Sequence, residues 1–187
     1  MKHGVVLYGP PAVGKDTVTR ALAQLSSQYR QFERLKVGSG KSHGYRMGTA
    51  EQLLALEAAG DVVYANRRYG NTYAIDRPGL ASAFANGVPV LHLGQIDGVC
   101  AVVGGYPAVW STVLLWCPKE MTANRSEARG DRDTAARLAA WEATWQDLEA
   151  HPDMVWDLTV DTSAVSPQEP ARLIDQLLVQ RVGAASA

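Results

Sequence analysis

Cysteine is scarce in this chain of 187 residues, and long apolar runs are missing. Cys100 and Cys117 are its only cysteines, and they lack metal-ligand spacing, so we expect two ordinary thiols without a disulfide or a zinc site. No apolar run approaches the roughly 20 residues that cross a bilayer. The first residues lead directly into an apolar strand without a signal-peptide pattern. We therefore expect a cytoplasmic protein that has no membrane partner.

An excess of charge of either sign is also missing. Eighteen basic residues nearly balance nineteen acidic ones, so no broad field attracts a nucleic-acid backbone, and we expect no nucleic-acid partner. The composition is 47% hydrophobic and 20% charged, which at this length fits a single domain over residues 1–187. The sequence leaves the oligomeric state open between monomer and homodimer.

Apolar strands alternate with helical segments along the chain. The predicted strands are residues 5–8, 31–37, 88–93, 109–116 and 154–160. The predicted helices are residues 15–28, 49–59, 77–86, 119–149 with a break at Gly130, and 167–180. The continuous apolar runs are typical of buried parallel strands. This alternation predicts an α/β fold of three layers, in which helices cover a mostly parallel central sheet.

A glycine-rich turn follows the first strand and reads Gly9-Pro-Pro-Ala-Val-Gly14-Lys15-Asp16. This spacing, between an apolar strand and a helix, predicts a P-loop, whose backbone N–H groups hold phosphate while the lysine reaches the β- and γ-phosphates. The helix N-terminus adds partial positive charge. We predict ATP as the phosphate donor. The predicted nucleotide-binding residues of the loop are Gly9, Pro10, Ala12, Val13, Gly14, Lys15, Asp16 and Thr17.

Asp16 stands where most P-loops have a Ser or Thr hydroxyl that binds Mg²⁺. Its carboxylate binds the ion directly or through water, with help from Thr17, or it only caps the helix and complements the helix dipole. Both alternatives stay open on the sequence. We predict Mg²⁺ as a cofactor, with Asp16 as its candidate ligand.

Residues of about 38–75 form a basic, glycine-rich segment that we predict to bind the phosphoryl acceptor. Lysines and tyrosine hydroxyls suit an anionic substrate, although an exposed basic loop is the alternative. Asp97 follows the strand 88–93, at the sheet edge where such folds bind ligands, and is a candidate to accept a proton or orient Mg²⁺, or it caps a helix. We interpret His92 as a core histidine. The acceptor candidates are Lys36, Lys41, Tyr45, Arg46, Tyr69 and Gln95.

Residues of about 119–140 carry three arginines and are predicted to form a helical lid. Arg125, Arg129 and Arg132 are four and three residues apart, so a helix places them on one face. Closing such a face over a triphosphate stabilises transition-state charge and excludes water. We predict a catalytic and nucleotide-binding role for Arg125 and Arg129, and an acceptor contact for Arg132. The alternative is a solvated surface.

Several motifs, taken in this order, resemble the guanylate kinase-like family of P-loop kinases over roughly residues 3–180. They are the P-loop, the glycine-rich segment, Tyr69-Gly70, the strand Gly87-Val88-Pro89-Val90-Leu91 and the run Arg125-Ser-Glu-Ala-Arg129-Gly130. The Gly14-Lys15-Asp16 triplet is similar to the ribose 1,5-bisphosphate phosphokinase branch. The resemblance implies a P-loop kinase fold, with Tyr45 and Tyr69 in the place of phosphate-binding tyrosines.

The chain departs from the family where guanylate kinases read GMP. Lys36-Val-Gly-Ser-Gly-Lys41 replaces the stretch that binds the GMP phosphate, and Val63 stands near the position of the guanine-reading Glu. A site built to hydrogen-bond one base discriminates strongly, so these changes argue against GMP. We expect an ATP-dependent kinase for a small phosphorylated acceptor, namely a nucleoside monophosphate, a sugar phosphate or a specialised metabolite. The alternatives are a non-catalytic binding module and, last, a nucleotide-hydrolysing switch.

Overall fold

The computed structural model describes residues 1–68, 70–128, 130 and 133–184. In this part of the chain the strands are β1 His3–Tyr8, β2 Tyr29–Gln31, β3 Arg34–Val37, β4 Tyr45–Gly48, β5 Val62–Arg68, β6 Asn71–Asp76, β7 Val88–Leu93, β8 Val109–Trp116 and β9 Leu158–Asp161. The helices are α1 Lys15–Leu25, α2 Ala50–Ala58, α3 Arg77–Ala85, α4 Ile96–Gly105, α5 Lys119–Ala128, α6 Thr134–Ala150 and α7 Gln168–Ala184.

Five parallel strands form the central sheet in the order β2-β7-β1-β8-β9. β1 lies in the middle and is buried on both faces because its residues after His3 and Gly4 are continuously apolar. Val5 and Leu7 join a core with side chains of α1 and α7, and Val6 and Tyr8 join another with α3 and α4. This arrangement confirms the predicted three-layer α/β fold with a mostly parallel sheet.

A second sheet lies within and just before the glycine-rich segment, in the order β4-β3-β6-β5. β3 pairs in parallel with β4, whereas β6 runs antiparallel to both β3 and β5. Leu35, Leu53 and Ala74 form its small core under α2. α2 begins with a capping box that Thr49 and Gln52 form.

The single strand predicted over residues 31–37 is wrong. β2 ends at Gln31 and belongs to the central sheet, and β3 begins at Arg34 and belongs to the second sheet. The buried Phe32 still donates its N–H to the Val90 carbonyl at 2.9 Å, after which the chain changes sheets. Alternation of apolar residues predicts extended backbone but does not name the partner strand, so the change of sheet is invisible in the sequence.

The helical region after β8 breaks where the sequence predicts. Gly130 has φ of +70°, which favours glycine, and it separates α5 from α6. β9 starts later than the predicted residue 154, because Met154 and Trp156 pack against the core with Tyr8 instead of pairing in the sheet. None of the helices in the described residues is long and apolar enough to span a bilayer.

Candidate functional site

The loop between β1 and α1 has the backbone that its glycines predict. Gly9 has φ of +150°, and a Cβ there would lie 2.1 Å from the Leu115 carbonyl oxygen, so only glycine fits. Gly14 has φ of +107° and precedes α1, and no side chain of the described residues caps this helix end. The first N–H groups of α1 therefore lack side-chain acceptors and point to a bound anion.

Lys15 lies across this loop. Its Nζ donates to the carbonyl oxygens of Gly9 at 2.6 Å and Pro10 at 3.0 Å. Burial lowers the pKa of Lys15 to about 8, and the neighbouring Asp16 carboxylate partly offsets that fall. Lys15 thus stays mostly protonated at neutral pH, and a bound phosphate would stabilise its charge further.

Asp16 is held by a histidine that we interpreted from the sequence as a core residue. Nδ1 of His92 lies 3.3 Å from Oδ1 of Asp16, and its Nε2 lies 2.8 Å from Oγ1 of Thr19. The hydrogen bond from His92 lowers the pKa of Asp16 to about 2, so this carboxylate is ionised. Burial lowers the pKa of His92, which fits a neutral ring that donates to Asp16 and accepts from the Thr19 hydroxyl.

Arg125 holds the loop from the opposite side. Its guanidinium donates to the carbonyl oxygens of Ala12 at 3.3 Å and Val13 at 3.2 Å, and to Oγ1 and the carbonyl of Thr162 at 3.1 and 2.7 Å. Beside it lies an apolar cavity of about 350 Å³. It is lined by Ala12, Val13, Gly14, Thr17, Val18, Arg125, Ala128, Thr162, Val165, Pro167 and Pro170. These walls suit a planar base.

Replacing Arg125 with alanine should therefore weaken nucleotide binding. The change removes the four hydrogen bonds by which Arg125 joins the loop to Thr162, directly after β9. We therefore expect KM for ATP to rise about tenfold. Arg125→Lys keeps the charge but not the fork of donors, so it should recover only part of the affinity. ATP titration of both variants checks this, and an unchanged KM would contradict it.

A smaller loop cavity of about 200 Å³ opens on the other side of the P-loop. It is lined by Pro11 to Thr17 and by Arg137 of α6. Arg137 also pairs with Asp133, its Nε lying 3.0 Å from Oδ1. The pair Arg137-Leu138 follows the predicted lid arginines and is part of the resemblance to the guanylate kinase-like family, although no role is predicted for Arg137 from the sequence. The predicted residues Arg129 and Arg132 lie outside the described residues.

A polar cavity of about 470 Å³ lies between the two sheets, next to Asp16. It brings together the predicted residues Lys41 and Tyr45 with three groups that sequence reasoning missed, namely Arg20, Arg34 and His92. Asp16 is the one carboxylate among the described lining residues, so the cavity is basic. Its lining comprises Asp16, Arg20, Gln31, Phe32, Arg34, Lys41, His43, Gly44, Tyr45 and His92.

An inner cavity of about 160 Å³ continues from the polar cavity, with which it shares Arg34 and Tyr45. The predicted residue Gln95 lies here and accepts the Tyr64 hydroxyl at 2.7 Å through Oε1. The full lining is Arg34, Tyr45, Tyr64, Asn66, Arg68, Tyr73, Leu93, Gly94 and Gln95.

Three other predicted residues do not line the polar cavity or the inner cavity. Lys36 is buried, and its Nζ donates to the Lys41 carbonyl at 2.7 Å, so it supports the loop above it. Arg46 forms an ion pair with the buried Asp76 on the far side of β4. Asp97 is exposed at the start of α4, 3.7 Å from Nε2 of His151, and lines neither the polar nor the inner cavity. Tyr69 lies outside the described residues.

Arg46 should therefore matter for stability and not for the acceptor. Arg46→Met leaves the Asp76 carboxylate, which is 1% exposed, with the Gly79 N–H as its one partner among the described residues. We expect a loss of about 1–2 kcal/mol in unfolding free energy, after allowing for the solvent that reaches Arg46. Chemical denaturation of Arg46→Met and of the exposed control Arg30→Met checks this. A raised acceptor KM in Arg46→Met would instead support the role predicted from the sequence.

Comparison with known proteins gives the family and the fold of this chain. A family model described as chloramphenicol phosphotransferase-like protein matches residues 40–179. The guanylate kinase from Anaplasma phagocytophilum superposes with a TM-score of 0.63 at 17% identity, covering 96% of this chain and 86% of that one. The shikimate kinase from Acinetobacter baumannii, solved with shikimate, gives 0.51 at 16% identity, covering 97% and 94%. These likenesses show the P-loop kinase fold. Curated protein sequences gave no significant match.

Proposed function

Because the chain belongs to the chloramphenicol phosphotransferase-like family, we propose that it transfers the γ-phosphoryl group of ATP to a small anionic acceptor. The observation that carries the proposal is the position of Asp16, which lines both the loop cavity and the polar cavity. A carboxylate shared by two adjoining cavities marks the point where donor and acceptor meet. Phosphoryl transfer depends on this kind of positioning and on positive charge, with little covalent chemistry by the protein.

On the donor side, the base of ATP occupies the apolar cavity beside Arg125. The triphosphate extends along the loop, where the N–H groups at the start of α1, Lys15 and Arg137 surround the loop cavity. To reach the phosphates, Lys15 exchanges its bonds to the Gly9 and Pro10 carbonyls for phosphate oxygens. Lys15 and Arg137 then stabilise the negative charge of the moving phosphoryl group.

On the acceptor side, the polar cavity supplies cations and few opposing charges. Arg20, Arg34 and Lys41 line it, and Asp16 is the one described carboxylate. This balance favours a phosphorylated or otherwise anionic acceptor. It supports the acceptor class that the sequence indicates. The groups by which guanylate kinases read the base of GMP are replaced in this sequence.

Asp16 and Thr17 fit a magnesium site of the kind that kinases use. Mg²⁺ is bound by one or two carboxylates together with substrate phosphates, and the Asp16 carboxylate is 75% exposed and faces the loop cavity. Asp16 would hold the ion, which would supply positive charge to the nucleotide phosphates. His92 fixes the orientation of the Asp16 carboxylate.

The test is a screen of the purified protein with ATP and Mg²⁺, followed by phosphorus NMR. The acceptors are nucleoside monophosphates, ribose 1,5-bisphosphate, other phosphosugars, and chloramphenicol because of the family's name. We expect a phosphorylated product from an anionic acceptor and little from GMP. Tight binding of an acceptor without any product would instead identify a non-catalytic binding module.

A further inference from the structure

Asn66 of β5 leaves a buried oxygen without a hydrogen-bond donor in the inner cavity. Its Oδ1 is shielded from solvent, and no atom of the described residues donates to it. Buried polar atoms in folded proteins are almost always hydrogen-bonded. Asn66 also lines the cavity, so a turn of its side chain brings this oxygen to a donor on a molecule bound there.

Arg34 supplies the opposite chemistry at the entrance of the same cavity. It is half-buried at the start of β3, and no described residue forms a hydrogen bond or an ion pair with its guanidinium. Its Cζ lies 5.2 Å from the centre of the Tyr73 ring, which holds the group in place. A second guanidinium, that of Arg68, lines the cavity, and the described lining includes no carboxylate. A guanidinium of this kind binds a carboxylate or phosphate.

Gln95 adds a donor whose direction is fixed. Its Oε1 accepts the Tyr64 hydroxyl at 2.7 Å, and burial raises the pKa of Tyr64, which keeps that hydroxyl protonated. With the oxygen engaged, the amide NH₂ of Gln95 is the group available to a ligand.

The size and walls of the cavity limit what fits. Its volume is about 160 Å³, and the rings of Tyr45, Tyr64 and Tyr73 line it. An engineered protein cavity of about 150 Å³ holds one benzene molecule. One planar ring therefore fills the inner cavity, and the rest of a larger molecule extends past Arg34 into the polar cavity.

We propose that the inner cavity is a recognition subsite for a planar ring that donates an N–H or O–H to Asn66 and carries an anionic group bound by Arg34. Arg34 lines both cavities, so the anionic group lies at their junction and the next part of the molecule faces Asp16. The acceptor is then an anionic ring compound, and the hydroxyl that receives the phosphoryl group lies in the polar cavity. Only the place of that hydroxyl rests on the proposed function.

Calorimetric titration without nucleotide tests the subsite with matched probes. 4-Hydroxybenzoate has a planar ring, a hydroxyl donor and a negatively charged carboxylate. 4-Methoxybenzoate lacks the hydroxyl donor, and 4-hydroxybenzamide lacks the negative charge. We expect 4-hydroxybenzoate to bind about tenfold more tightly than either, since each comparison removes one hydrogen-bonded partner of a buried group. 4-Hydroxyphenyl phosphate, titrated in parallel, shows which anion the junction prefers, and tighter binding of either anion than of the amide supports the proposal.

Two variants separate the contacts. Asn66→Leu should bind 4-hydroxybenzoate and 4-methoxybenzoate equally well but still prefer 4-hydroxybenzoate to 4-hydroxybenzamide. Arg34→Met should still prefer 4-hydroxybenzoate to 4-methoxybenzoate but should bind 4-hydroxybenzoate and 4-hydroxybenzamide equally well. Arg67→Met, an exposed arginine on the same strand as Asn66, should keep both preferences. Each result compares two ligands on one protein, so partial unfolding does not imitate it.

The proposal is overturned if neither 4-hydroxybenzoate nor 4-hydroxyphenyl phosphate binds the wild-type protein, or if both preferences survive in both variants. Failure of the proposed function gives a different result. In that case the probes bind with the expected preferences while no acceptor in the screen is phosphorylated.

Discussion

Replacing Lys15 with alanine is expected to reduce kcat/KM for ATP by at least 10²–10³-fold, the effect of removing one preorganised group that stabilises transition-state charge. Lys15 is the cation nearest the loop backbone, and its Nζ already lies within 2.6 Å of the Gly9 carbonyl. Arg137 is the other cation that lines the loop cavity among the described residues, but it lies on α6 and pairs with Asp133, so it does not take the place of Lys15 at the loop backbone.

The fold should survive this substitution. The carbonyls of Gly9 and Pro10 can accept hydrogen bonds from water after Lys15 is removed, so we expect a change below about 1 kcal/mol in unfolding free energy. Lys2→Ala, at the other end of β1, is the matched control and should keep full activity. Steady-state kinetics and thermal melting check both variants. A Lys15→Ala protein with wild-type turnover would show that the loop does not bind the transferred phosphate.

Changes at Asp16 are expected to have the next largest effect and to decide its role. A carboxylate with a pKa of about 2 is a weak proton acceptor, which favours a role in holding Mg²⁺ over general base catalysis. Asp16→Asn and Asp16→Ala should therefore reduce kcat by about 10²–10⁴-fold. Asp16→Ser restores the hydroxyl that most P-loops use, so it should keep more activity than either and need more Mg²⁺.

The measurement is kcat as a function of Mg²⁺ concentration for the three variants. Asp153→Asn, at an exposed carboxylate outside the cavities, is the control and should behave as wild type. If Asp16→Ser is as inactive as Asp16→Ala and all variants keep the wild-type Mg²⁺ dependence, Asp16 acts on the acceptor proton instead.

The geometry of the P-loop was predictable because its determinants are contiguous. The loop from Gly9 to Asp16 needs positive φ at its glycines and a helix that begins at Lys15, and both requirements are written in neighbouring residues. The central sheet followed in the same way from continuous apolar runs such as β1 and β8. Local backbone preferences and strand burial do not depend on which distant segment is the partner.

The positions of the predicted acceptor residues followed from the sequence only in part. Lys41, Tyr45 and Gln95 line the cavities, and their binding of an acceptor stays a prediction, whereas Arg46 turns to the opposite face of β4 because neighbouring strand residues point to opposite faces. From the sequence, Tyr45 and Arg46 are both acceptor candidates, because no strand is predicted there. Which of them faces the polar cavity depends on the pairing of β4 with β3.

Local patterns in the sequence are sufficient to predict a P-loop on a parallel α/β sheet and an unusual Asp16 at the end of that loop. Only the tertiary structure joined Asp16 to His92, 76 positions away in the sequence, and placed Arg34 and Asn66 in one cavity. Those neighbours come from pairing between strands that are distant in the chain and from the division of β2 and β3 between two sheets. Pairing of this kind is decided by packing of the whole molecule, and no local pattern encodes it.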